Sequence, residues 1–155
     1  MEIRTFNELF TVTDKRSKLV VYGAGWAGKI IAGYLKQKGI TITYFGVTQR
    51  KNGNPKEVDG IPVLEIDEVY EKMPLAGIIL GAVSFTQREM ESYLIEKGIK
   101  NYYPISEALL YEMRWEVFHY RAKECVYSDN KNEKKYKIGY LFPGYLDTKL
   151  RIQSI

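Results

Sequence analysis

The stretch Leu19-Val-Val-Tyr-Gly-Ala-Gly-Trp-Ala-Gly-Lys-Ile-Ile-Ala-Gly-Tyr-Leu35 decides how the rest of the chain is read. Four apolar residues, Leu19 to Tyr22, break into glycines, after which apolar positions return at Ala27, Ile30, Ile31, Tyr34 and Leu35 with helical spacing. This predicts a buried strand, a tight loop and a helix. Gly23, Gly25 and Gly28 hold the G-x-G-x-x-G spacing. The first glycine allows the turn, the second lets a pyrophosphate approach the backbone, and the third lets the helix pack close to the strand. Helix-start amides then face an anion, so Gly23, Ala24, Gly25, Trp26, Ala27, Gly28 and Lys29 form the expected phosphate loop.

The same residues run close to the triphosphate motif G-x-x-x-x-G-K-[ST]. Ile30 stands where the Ser or Thr should be, so the loop lacks its usual magnesium ligand and an NTPase is disfavoured.

A chain of 155 residues suits about one domain with a single core. No apolar run approaches the roughly 18 residues of a membrane span, and Met1-Glu-Ile-Arg-Thr5 lacks a signal-peptide pattern, so a cytoplasmic protein is expected. Cys125 and His119 are the single representatives of their types, which leaves no internal disulfide and little material for a metal site or a His-dependent nucleophile. The net charge of +4 comes from basic residues interleaved with acids, and the densest basic run, Lys131 to Lys137, reads as a solvated loop. No nucleic-acid partner is expected.

Taken in order, Thr5 to Phe10 predicts a short helix through Phe6, Leu9 and Phe10. Lys38-Gly39 stops the long helix, and Ile40 to Phe45 alternates as a second strand. Dinucleotide sites using NAD place an acid just past this strand. Here the residues are Val47, Thr48, Gln49, Arg50 and Lys51. Thr48 and Gln49 offer hydrogen bonds to a ribose, and Arg50 with Lys51 offers charge to a 2′-phosphate; the alternative is that Gln49 to Asp59 is a surface loop without a ligand. Gly60 to Leu64 predicts a short strand, Asp67 caps a helix to about Lys72, and Ala76 to Val83 predicts a central parallel strand. Ser84 or Thr86 opens the next helix, with Met90, Leu94 and Ile95 inward and Gly98 as its stop. Tyr102 to Ile105 is the last strand, and Ser106 caps a helix to about Tyr120 with Leu109, Leu110, Met113 and Val117 inward. Tyr111, Trp115 and Phe118 point elsewhere on that helix, which predicts a homodimer or a cover by the strand-like Tyr136 to Phe142. Domain boundaries fall at 1–120 and 121–155, the second an edge hairpin or the start of a further domain.

Tyr93-x-x-x-Lys97 matches the spacing of the Tyr and Lys pair of short-chain dehydrogenases, and it is the one proton donor available to an oxidoreductase reading.

Four segments, Tyr22 to Lys29, Val58-Asp-Gly-Ile-Pro-Val-Leu64, Ile78-Ile-Leu-Gly-Ala-Val83 and Gly98-Ile-Lys-Asn-Tyr-Tyr-Pro-Ile105, together resemble Rossmann-like domains at the N-termini of bacterial surface-polysaccharide proteins. Those proteins include sugar-modifying acyltransferases and glycosyltransferase-associated proteins, and the resemblance covers about Lys18 to Leu110. It implies a nucleotide or nucleotide-sugar binding module whose chemistry belongs to an attached or associated transferase. The expected fold is α/β, a Rossmann-like three-layer sandwich with a mostly parallel sheet plus a C-terminal helix and strand-like extension. Its site joins the phosphate loop to Val47, Thr48, Gln49, Gly81, Ala82 and Val83, with NAD(P) or a nucleotide sugar as ligand and no metal. Two alternatives stand beside it: an NAD(P)-dependent oxidoreductase of nucleotide sugars, and a structural or dimerisation domain with a vestigial loop.

Overall fold

The computed structural model describes residues 1–128, with side chains to 123. The chain divides into two units, the first Met1–Arg114 and the second from Trp115 onward. In the first, α1 (Phe6–Lys15) precedes β1 (Leu19–Tyr22), α2 (Trp26–Gln37), β2 (Tyr44–Val47), β3 (Glu57–Val58), β4 (Ile61–Glu65), α3 (Ile66–Lys72), β5 (Gly77–Leu80), α4 (Ser84–Glu96) and β6 (Tyr102–Tyr103). Helix α5 (Glu107–Ser128) begins there and continues into the second unit. The strand-like Tyr136 to Phe142 and the basic run Lys131 to Lys137 lie outside the described residues.

Six strands form one sheet in the order β3-β4-β2-β1-β5-β6, all neighbours parallel except the β3–β4 pair. Helices cover both faces, which makes the unit a Rossmann-like three-layer sandwich. Side chains alternate along each strand, so Val20, Tyr22, Ile78 and Leu80 enter a core with Ile66 and Val69 of α3 and Leu94 of α4. Leu19, Val21 and Ile79 are equally buried and face the other way. Tyr34, a buried residue of α2, stacks on Phe6 of α1 at 4.9 Å. Helix α1 starts as expected, with Thr5 and Glu8 forming a reciprocal capping box.

Several boundaries differ from the sequence reading, each for a local reason. Strand β2 begins at Tyr44 rather than Ile40 because Gly39, at φ 77°, closes the α2 cap and the Ile40 amide is used on the Leu35 carbonyl at 2.9 Å. Between Gln49 and Asp59 the expected loop contains a strand, β3, which folds back on β4 through Asp59 and Gly60, both at positive φ. Such an Asp-Gly pair is the turn a two-residue hairpin demands. Asp67 does not cap α3; Glu65 is at the cap position and the Asp67 side chain is spent elsewhere. On α4 the inward residues are Gln87 and Leu94, with Met90 packed partly against the core, while Ile95 lies exposed. Helix α5 passes Tyr120 and runs to Ser128, the last described residue. Its inward face is the expected one, since Leu109, Leu110, Met113 and Val117 are all buried.

Candidate functional site

The strand order reverses between β1 and β5, the place where open α/β sheets bind ligands at the carboxyl ends of their strands. At that point backbone bonds still join the end of β1 to both of its neighbours. The Gly23 amide donates to the Gly46 carbonyl at 2.8 Å, and the Gly81 amide donates to the Tyr22 carbonyl at 2.7 Å.

Three glycines then meet with no room for side chains. A Cβ on Gly28 would stand 1.9 Å from the Gly23 carbonyl oxygen, one on Gly23 would stand 2.5 Å from the Gly81 carbonyl oxygen, and one on Gly81 would stand 2.8 Å from the Gly28 Cα. Gly23 also has φ 118°, where a side chain is strained. Gly25 is different. Nothing lies within 4 Å of the position its Cβ would take, and its φ of −80° is open to any residue. The first and third glycines of the motif therefore close the packing between β1, α2 and the end of β5, and the second faces open space.

Gly25 is also the cap residue of α2, with no side-chain hydrogen bond to the first turn and no acidic residue in that turn. The other described helices carry an acid or a cap at this position. Helix α1 has Thr5 and Glu8, α3 has Asp67 and Glu68, α5 has the Ser106 hydroxyl accepting from the Leu109 amide, and α4 has the Glu107 carboxylate accepting from the Ser84 amide at 3.3 Å. First-turn amides have no acceptor within their own helix. At α2 alone, among these described helices, no internal carboxylate answers them.

Of the remaining predicted site residues, Gly25, Trp26 and Lys29 are exposed, Gly23 and Ala24 are half-buried, and Ala27, Gly28 and Gly81 are buried. Ala82 and Val83 are half-buried, and Val83 is the cap residue of α4. Val47 ends β2 beside Glu65, and the exposed Thr48 and Gln49 follow it. The Thr48 hydroxyl shares a hydrogen bond with the Tyr22 hydroxyl at 2.5 Å. Burial raises the Tyr22 pKa, opposed by that hydrogen bond, so its phenol stays neutral and tethers the end of β1 to the end of β2. Arg50 is turned away from a 2′-phosphate role: its guanidinium donates to the Val63 carbonyl and its amide donates to Glu65 Oε1 at 3.0 Å.

Sequence reasoning missed two residues that shape this end of the sheet. Gln87, only 4% exposed, donates to the Ala82 carbonyl at 2.7 Å and to the Ile105 carbonyl at 2.8 Å, and accepts from the Ile105 amide at 3.1 Å. It locks the segment after β5 to the segment after β6. Glu107 fills the amino end of α4.

Tyr93 and Lys97 do come together, but around Asp67. The Tyr93 hydroxyl donates to Asp67 Oδ2 at 2.9 Å and the Lys97 ammonium donates to the same oxygen at 3.0 Å. Burial and then the Asp67 carboxylate raise the Tyr93 pKa, outweighing the lowering by Lys97. A dehydrogenase phenol needs the opposite shift.

No described helix is long and apolar enough to cross a membrane. No family model matches the chain, and no curated protein matches it.

Proposed function

We propose that this chain is a nucleotide-binding module, taking a nucleoside diphosphate or nucleotide sugar, that serves bacterial cell-surface polysaccharide synthesis in the cytoplasm and leaves the chemistry to an associated transferase. The observation that carries this reading is the amino end of α2. A G-x-G-x-x-G loop follows a buried parallel strand at the reversal of strand order, its packing glycines are closed, and its cap residue Gly25 faces open space with no internal acid opposite. That arrangement favours an anion approaching the backbone.

NAD and NADP fit less well. The position after β2 offers Thr48 and Gln49 rather than an acid for the ribose, and Arg50 is held by β4. Oxidoreductase chemistry is disfavoured because Tyr93 is bound to Asp67 with its pKa raised. The association with polysaccharide synthesis rests on the family resemblance of the four segments above.

Thermal-shift and calorimetric titration with UDP, UDP-sugars, CDP-sugars, NAD, NADP and coenzyme A tests the reading. Stabilisation by a nucleoside diphosphate or its sugar, exceeding that by NAD, supports it. A flat response to all of them favours the vestigial loop instead.

A further inference from the structure

One face of α5 reaches both helix starts that border the reversal of strand order. Glu107, Tyr111 and Arg114 are spaced four and three residues apart, so they share a stripe of the helix. The Glu107 carboxylate meets the first amide of α4 at 3.3 Å. The Tyr111 ring lies 6.4 Å from the Trp26 indole, tilted by 36°, and the Arg114 guanidinium sits 5.0 Å over that indole. Trp26 is the first residue of α2, adjacent to Gly25. Both aromatic rings remain about half exposed, at 45% and 51%.

We propose that this stripe, with Trp26, is the subsite for the hexose of a nucleoside diphosphate hexose whose phosphates lie at Gly25; the inference rests on the function proposed above. Two tilted aromatic faces with a carboxylate at one end match a pyranose. The electron-rich faces attract the C–H edges of a puckered ring, and the carboxylate accepts hydrogen bonds from hydroxyl groups. A flat base is served less well, because the two rings are tilted by 36° and do not form parallel walls. Trp26 is placed to touch both halves of such a ligand, since its backbone belongs to the phosphate loop and its side chain to the stripe.

Calorimetric titration of the full chain with UDP, UDP-glucose, UDP-N-acetylglucosamine, GDP and GDP-mannose tests this. At least one hexose derivative should bind about fivefold more tightly than its own nucleoside diphosphate, the scale of one good aromatic contact. In Tyr111→Ala and in Trp26→Ala that ratio should fall to about one, whereas Ile95→Ala, exposed on α4, should keep it. Glu107→Gln should lower the ratio without unfolding the chain. A diphosphate that binds with no gain from any hexose overturns the subsite and leaves the proposed function standing. A gain that survives both aromatic substitutions overturns it as well, as does a loss in both variants that follows the base rather than the hexose. No binding by any of the five overturns subsite and function together.

Discussion

The Gly23 carbonyl oxygen and the Gly28 backbone are in such close contact that a Cβ on Gly28 would lie 1.9 Å from that oxygen. The obstacle is backbone, which has no rotamer to yield. Gly28→Ala should therefore destabilise the fold by about 3 kcal/mol or more, at the top of the usual range for overpacked sites. Gly25→Ala should stay within about 1 kcal/mol of wild type, the usual scale of a cap change, since its side chain would point into open space. Urea unfolding of the two variants separates a glycine that packs from a glycine that leaves room.

Gln87 satisfies three backbone groups from within the core, two carbonyls and one amide. Gln87→Leu keeps most of the volume and removes all three partners. A loss of about 3 kcal/mol is expected, from several unsatisfied buried groups at 1–3 kcal/mol each with partial relaxation. Gln87→Glu should not restore stability at neutral pH, because a carboxylate can accept from Ile105 but cannot donate to the carbonyls of Ala82 and Ile105. Equal stability of wild type and Gln87→Leu would contradict this role.

Alkaline pH should expose the Asp67 cluster. The Tyr22 and Tyr93 phenols are raised above 10.0, both chiefly by burial, and the Lys97 ammonium is raised above 10.5, chiefly by its hydrogen bond to Asp67. In each case the unfolded chain releases its proton first. The stabilisation is thus complete below the unfolded values and is lost as pH rises through the folded ones. Melting temperature followed from neutrality to above 10.5 should fall across that range. In Asp67→Asn the fall should be shallower, because the carboxylate that raises Tyr93 and Lys97 is gone. An identical slope in the two proteins would show that Asp67 does not couple to them.

The outward residues of α5 yield a prediction about assembly. Trp115 is exposed, its ring meeting His119 edge-on at 4.2 Å, and Tyr120 is exposed as well. We expect a homodimer that buries these side chains, with Trp115→Glu converting it to a monomer in light scattering. A wild-type monomer at micromolar concentration would contradict the dimer.

The legible parts of the chain were those set by neighbours in sequence. Leu19 to Leu35 announced strand, loop and helix because the period of its apolar residues changes at the glycines. The continuous apolar run of β5 and the inward face of α5 were equally local. The β3–β4 hairpin was missed although Asp59-Gly60 signals it, because β3 is only two residues long and carries no period of its own. Strand β2 starts later than the alternation from Ile40 suggests, because nothing in Ile40 to Thr43 signals that the helix cap uses the Ile40 amide. In the candidate site, the loop and the residues after β2 were readable, but the groups that orient them were not. Gln87 bonds to a residue 18 positions away, Glu107 to one 23 positions away, and Tyr93 to one 26 positions away. Such pairs are created by the strand order, and no spacing motif records them.

The most direct test of the account is calorimetric titration of wild type and Gly25→Val with UDP and with its sugar derivatives. The backbone at Gly25 accepts a side chain, so the variant should remain folded while valine fills the space before the first amides of α2. The account predicts measurable binding to wild type and a loss of at least about tenfold in the variant, equal to 1.4 kcal/mol of lost interaction. Equal affinity in the two folded proteins would place the phosphates elsewhere and contradict it.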